Sequence, residues 1–421
     1  MINEKQFLNE QTKTVIWQVV LEYRKKREKA LLKNKLEKEK FREELFQIKK
    51  KVISSIEILK ERTIQNLKEN GIEVFEAKDA KEAKGKIEEI LKDKKLIVKS
   101  KSNAFNEIEG GEFLADKELI ETDLGDFLIQ IFEEKEIHPV LPALHLTPEK
   151  ISQKIKEKFG KEVKPTSEAI VNFVRNLLRE KISKAEAGIS GANVISSDGK
   201  ILVLENEGNI SLVSRWPDVH IVVAGFEKIV ENLEDALKII KASAIWGTGQ
   251  DFPVYVSIIS GPSKTADIQN QTIIGAQGAK RVYLILLDNG RNKILKEGFE
   301  ELLYCINCGA CLNFCPVFHQ IGRNYGDKYL GSKGVIFAGL TENLKKAVWA
   351  NCFACTLCSA CYENCPVKIN LPELMKSLRI FMEKEGLQTK ENQEMIKKIR
   401  QFGNPFGKIE EGKIPKKLYC C

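Results

Sequence analysis

The strongest constraint on this chain is a cysteine pattern that occurs twice. "CINCGACLNFCP" spans residues 305–316, and "CTLCSACYENCP" repeats it at 355–366. Each has the form C-x2-C-x2-C-x3-C-P: Cys305, Cys308, Cys311 and Cys315 before Pro316, then Cys355, Cys358, Cys361 and Cys365 before Pro366. Three thiolates at steps of three on a tight loop can grip three irons of one cubane, and such a comb is an iron–sulfur pattern. Zinc also favours C-x2-C, but as two separated pairs, with no need for a third cysteine in step or for Cys-Pro. Of the eleven cysteines, nine lie between Cys305 and Cys365 and two end the chain at Cys420 and Cys421, while residues 1–304 have none. In a chain this long, thiols concentrated in this way read as ligands and not as disulfide partners.

Two combs imply two 4Fe–4S clusters. The fourth cysteine of each begins the next helix before Pro and points away from its own loop; in two-cluster ferredoxins it binds the other cluster. This assigns Cys305, Cys308, Cys311 and Cys365 to one cluster, and Cys355, Cys358, Cys361 and Cys315 to the second. A cubane saturated by four cysteines has no substrate site, so the pair reads as a wire for single electrons. Cys352, three residues before the second comb, reads as a buried spare thiol, and Cys420 and Cys421 as exposed thiols or an interface feature. The 39 residues between Cys315 and Cys355 are helical in composition. That spacing resembles the helical ferredoxin modules of succinate dehydrogenase, heterodisulfide reductase and glycolate oxidase iron–sulfur subunits.

With 421 residues the chain is too long for one ordinary core. Residues 1–60 form a charged helical region, free of Gly and Pro over a long stretch and with one narrow apolar stripe to dock. Residues 61–297 alternate apolar runs with amphipathic helices. Residues 298–400 form the helical cluster domain, and 401–421 a Gly/Pro-punctuated tail. The net charge of +8 is spread over 67 basic and 59 acidic residues with no basic stripe interleaved with aromatics, which argues against a nucleic-acid partner. No apolar run approaches the ~20 residues of a membrane helix, and "MINEKQFLNEQTK" lacks the apolar core of a signal peptide, so the expected location is the cytoplasm.

In the middle region, "KLIVKS", "HPVLPAL", "ANVISSDG", "ILVLENEGN", "VHIVVAG", "FPVYVSIISG" and "RVYLILLDNG" read as strands. Runs that are apolar throughout and separated by amphipathic helices indicate a buried, largely parallel sheet in an α/β domain. "GKILVLENEGN" and "DVHIVVAGFEK" read as a local antiparallel pair. No G-x-G-x-x-G follows a strand, so a dinucleotide fingerprint is absent.

The ordered series "VKSKSNAFNEI", "ETDLGDFLIQI", "HPVLPALH", "AEAGISGANVISSDGKILVLENEGN", "HIVVAGFEKIV", "YVSIISGP" and "LLDNGRNKIL" resembles the LUD domain of the lactate-utilization iron–sulfur proteins. The resemblance covers roughly residues 60–375 and implies a fold similar to the sugar-phosphate isomerase and CoA-transferase group. It also implies a role in electron transfer during oxidation of L-lactate to pyruvate within a three-protein system. The tail motif "GNPFG" resembles the linker that in heterodisulfide-reductase-like proteins leads into a cysteine-rich CCG domain. The expected partners are therefore a CCG-domain protein and a second LUD protein. The alternatives are an electron-transfer subunit of a heterodisulfide-reductase-like or other 2-hydroxy-acid system, or a LUD domain with its own catalysis on a hydroxy acid or thioester.

For that catalytic alternative the candidate is Glu207, in "NEGN" beyond an apolar run, where ligands of parallel sheets bind; a plain turn reads equally well. Lys99, Ser100 and Ser102 follow another run and suit an anion or a simple strand-to-loop junction. His138, His145 and His220 lack metal spacing and read as hydrogen-bonded structural histidines. Arg215 and Arg291 read as surface ion-pair partners.

Overall fold

The computed structural model describes residues 6–138 and 141–409. Three helices open it: Glu10–Lys33, Lys38–Ser54 and Ile56–Glu69. The first is capped by Asn9, whose side chain accepts from the Thr12 amide at 2.8 Å. Its buried stripe of Ile16, Val20, Tyr23, Arg27, Ala30 and Leu31 follows the helical period, so a highly charged sequence still has one face to bury.

Twelve strands follow. β1 (Ile72–Ala77), β2 (Leu96–Lys99), β3 (Glu118–Glu121) and β4 (Ala187–Ser190) are joined in one sheet by β7 (Val219–Gly225) and β12 (Arg281–Leu287). Every pairing in this sheet is parallel, in the order β1-β12-β7-β4-β2-β3. β4 and β7 are buried along their whole length, as strands covered on both faces must be. A second sheet of β5 (Val194–Ser196), β6 (Lys200–Glu205), β8 (Ile229–Val230) and β9 (Tyr255–Ile259) has the order β8-β5-β6-β9. It grows from the carboxyl ends of β4 and β7. β10 (Lys264–Thr265) and β11 (Ile273–Ile274) form a small antiparallel ribbon.

Several expectations change here. β6 and β7 do not pair: β6 runs antiparallel to β5 and β9, whereas β7 lies between β4 and β12. "VHIVVAG", apolar but for His220, suits the centre of the parallel sheet, and "ILVLE", with its polar end, suits the smaller one. "HPVLPALH" forms no strand over its described residues, which make turns at 142–145; its two prolines each lack an amide hydrogen for a ladder. β3 and β4 are too short or too Gly-containing to stand out in the sequence.

Past β12 the chain enters helices Pro316–Ile321, Gly331–Thr341, Leu344–Trp349, Leu371–Lys384 and Lys390–Phe402. One hydrophobic core runs from Leu31 and Leu45 of the opening helices, through Ile201 and Trp246, to Phe318, Val335 and Met382 of the cluster domain. Two further cores cover the faces of the parallel sheet. The cluster domain is therefore built into the α/β body. No helix among the described residues is long and apolar enough to cross a membrane.

Candidate functional site

The two combs share a backbone as well as a sequence. In the first, Asn307 and Gly309 adopt positive φ of 59° and 75°; in the second, Leu357 and Ser359 do so at 57° and 62°. These are the second and fourth positions after the leading cysteine in both, and the left-handed turns coil each loop around its thiols. Backbone amides of Asn307, Phe318 and Ile369 donate to the sulfurs of Cys305, Cys315 and Cys365, each at 3.4 Å. Cys315 caps the helix Pro316–Ile321. Cys365 does not begin a helix: Pro366 and a left-handed Lys368 (φ 50°) make a turn, and the next helix starts at Leu371 under an Asn370 cap.

The thiols fall into two adjoining groups. Cys308 feels Cys365 and Cys305, and Cys311 feels Cys305, Cys308, Cys361 and Cys365. Cys315 feels Cys355 and Cys358, and Cys361 feels all three. All nine described cysteines are free of disulfides. Among the described residues no three histidine, cysteine or acidic side chains form a site for a single metal ion. Burial pushes the Cys315 thiol up to about 11 and those of Cys361 and Cys365 up to about 12. Left to themselves these sulfurs stay protonated at neutral pH. Coordination to positively charged iron is what holds such a set as thiolates, so the donor set fits iron–sulfur clusters.

The opening helices reach into this region. Buried Arg42 donates through Nε to the Cys365 carbonyl and through Nη2 to that of Tyr362, both at 2.8 Å. Arg27 donates to Asn364 Oδ1 at 3.0 Å, and Arg24 lies over the Phe314 ring at 4.3 Å. Arg379 donates to the carbonyls of Cys352 and Cys355 at 2.7 and 2.8 Å. Cys352 itself is buried, with its sulfur 3.7 Å from Met382 Sδ. Cys420 and Cys421 lie outside the described residues.

A cavity of about 360 Å³ lies where the chain reverses direction across the parallel sheet. From β2 the chain moves outward to β3, then returns past β2 to β4 and on to β7, so the crevice opens beyond the carboxyl ends of β2 and β4. Its lining includes Ser102 after β2, Asn193 after β4, Glu207 after β6 and Lys228 after β7. Asn307 and Cys308 of the first comb close its far end.

Glu207 accepts from the Leu124 amide at 3.2 Å; protein surroundings and the Asp123 carboxylate push its carboxyl up to about 7. Lys99, a candidate for anion binding, is instead committed to Glu121 at 2.8 Å. Ser102 caps the helix Asn103–Glu107, and Ser100 is buried without a hydrogen-bond partner for its hydroxyl. His138 bonds Asn313 at 3.2 Å, His145 bonds Glu134 at 2.6 Å, and His220 bonds Ser190 at 2.8 Å. Burial brings His138 down to about 4 and His220 to about 3, so both are neutral structural groups at physiological pH.

Arg215 is exposed and donates to Ser257 Oγ at 3.1 Å. Arg291 is no surface residue. It is fully buried, with two 2.8 Å bonds to Glu107 and one of 2.5 Å to Glu227, and Tyr329 adds a 2.6 Å bond to Glu107. Gly225 lets this network close, since a Cβ there would stand 2.0 Å from Glu227 Oε2 and 2.3 Å from Arg291 Nε. Lys228 and Asn307 carried no warning in a single sequence. "GFEK" looks like a turn with surface charge, although its place just beyond a largely apolar parallel strand is where ligands bind.

Residues 60–287 match the LUD domain family and residues 301–369 match the 4Fe-4S dicluster domain family. A relative called Lactate utilization protein B from Bacillus pumilus is 35% identical over 356 residues, covering 83% of this chain and 73% of the relative. Its namesake from Bacillus subtilis is 34% identical over 351 residues, covering 81% and 71%. A protein called uncharacterized electron transport protein YkgF from Escherichia coli is 32% identical over 365 residues, covering 85% and 75%.

Proposed function

The chain belongs to the LUD-domain family, among the relatives named Lactate utilization protein B, and on that premise we propose that it is the iron–sulfur component that carries electrons away from L-lactate as it becomes pyruvate. It holds two 4Fe–4S clusters. Cys305, Cys308, Cys311 and Cys365 serve the first, and Cys355, Cys358, Cys361 and Cys315 the second. The observation that supports this reading is that Cys365 neighbours Cys305, Cys308 and Cys311, and Cys315 neighbours Cys355, Cys358 and Cys361, the two sets adjoining at Cys311 and Cys361. When bound, such clusters supply one-electron transfer. The chain's own part is to enclose them, donate amide hydrogen bonds to their sulfurs, and set buried arginines against the comb carbonyls. Removal of two electrons and a proton from a C–H bond falls to another group, since a saturated cubane passes single electrons. The partners are a cysteine-rich CCG-domain protein and a second LUD protein, and the complex works in the cytoplasm.

The test is a Cys315→Ala variant purified without oxygen. The parent should contain about eight irons and eight sulfides. The variant should lose the paramagnetic resonance signal of the cluster held by Cys355, Cys358 and Cys361 and keep the other. Loss of the sequence-local cluster instead, or stoichiometric zinc without sulfide in the parent, refutes the assignment.

A further inference from the structure

We propose that the cavity between the carboxyl edge of the parallel sheet and the first comb binds a small 2-hydroxy- or 2-oxo-carboxylate, with its carboxylate on Lys228 and Ser243 and its oxygen-bearing carbon toward Asn193 and Glu207. The choice of acid rests on the lactate reading above; the site itself rests on the cavity.

Four buried or half-buried cations gather at the comb end of this space, and three are already committed. Arg291 is held by Glu107 and Glu227, Lys49 donates to the Glu227 carbonyl at 2.5 Å, and Lys333 donates to Asn307 Oδ1. Lys228 lines the cavity, is only 8% exposed, and has no hydrogen-bond or ion-pair partner among the described residues. A buried ammonium is costly by several kcal/mol in general; the adjacent Glu227 carboxylate offsets part of that cost, but its hydrogen bond goes to Arg291. Ser243, also 8% exposed, lines the same cavity, and its buried hydroxyl has no hydrogen-bond partner among the described residues. Together they offer a charge-assisted site for one carboxylate.

The other end has different chemistry. Asn193 accepts from the Leu204 amide at 3.0 Å through its Oδ1, and its amide nitrogen has no partner among the described residues. Glu207 stands beside Asp123, and Lys101, paired with Asp126 at 3.6 Å, lines the same end, so a neutral hydroxyl or carbonyl group meets both acceptor and donor there. An uncommitted lysine and a hydroxyl at one end, with amide, carboxyl and ion-paired lysine groups at the other, suit an acid with a neutral oxygen next to it. The volume of about 360 Å³ exceeds what a three-carbon acid needs, so water or a longer side chain shares the space. Because Cys308 closes the same cavity, a bound carboxylate adds negative charge beside the first comb.

The experiment is calorimetric titration of the anaerobic holoprotein with pyruvate and with L-lactate, with sodium sulfate as the control anion. Saturable binding of either acid, and none of sulfate, is expected. Lys228→Gln should weaken binding by roughly ten- to a hundredfold, the loss of one charge-assisted contact, and Lys228→Arg should retain part of it. Undiminished binding in Lys228→Gln, equal binding of sulfate, or no saturable binding of either acid by the parent would overturn the proposal. Should Lys228→Gln fail to fold, the parent still decides. Saturating pyruvate should alter the resonance signal of the cluster containing Cys308 and leave the other unchanged, and an unaltered signal counts against the site. Iron and sulfide content, measured on the same samples, report separately on the electron-transfer reading.

Discussion

The first comb is pressed into the α/β body: Cys308 closes a cavity, and a methyl group on Gly247 would stand 3.5 Å from its carbonyl. The second comb faces outward. Cys358 is exposed, and Trp349 (72% exposed), Phe353 and Tyr362 surround that face with accessible aromatic surface. Both combs have the same spacing and the same pair of left-handed turns. What differs is everything around them, so a ligand motif specifies a cofactor while its neighbours specify the task.

The largest effect should come from the buried ion network beside the enclosed comb's end of the cavity. Arg291→Met strands the Glu107 and Glu227 carboxylates in the core and should cost about 3–5 kcal/mol in anaerobic chemical denaturation. A loss under about 1 kcal/mol would show that Glu107 and Glu227 do not depend on it. Next in size, a chelator with mild oxidant should strip the cluster containing Cys358 several-fold faster than the one containing Cys308, followed by their separate resonance signals. Equal rates would erase the contrast between the combs. The smallest effect tests their likeness: Ser359→Gly gives the second comb the glycine that Gly309 supplies in the first. Release of its left-handed φ of 62° should raise stability by about 1 kcal/mol, read as a higher melting temperature. A destabilised variant would mean that the Ser359 side chain contributes more than its backbone costs.

The cluster chemistry was legible because it is local: eight cysteines at fixed steps state their ligand role without any knowledge of the fold. The parallel sheet was legible for a related reason, since β7 and β12 are apolar on both faces and no amphipathic strand could be. Glu207 stood out only through the turn around it. The rest of the cavity is assembled from segments as far apart as Ser102 and Asn307, and no local pattern marks residues that meet only after folding. Arg291 misled for the opposite reason. Beside "DNG" it has the look of a surface charge, and only the distant Glu107 and Glu227 make its burial possible.

The grip of the opening helices on the cluster domain has a consequence for how the chain is made. Arg27 waits for Asn364, 337 positions later, and Arg42 for Cys365, 323 positions later. At ~5–20 residues per second of synthesis, that interval lasts roughly 15–65 s. Throughout it these arginines have been translated while their partners have not, although the helices that carry them already have the α/β body to pack against. The housing of the metal centres is therefore complete only once both combs have been made and the opening helices have closed on them.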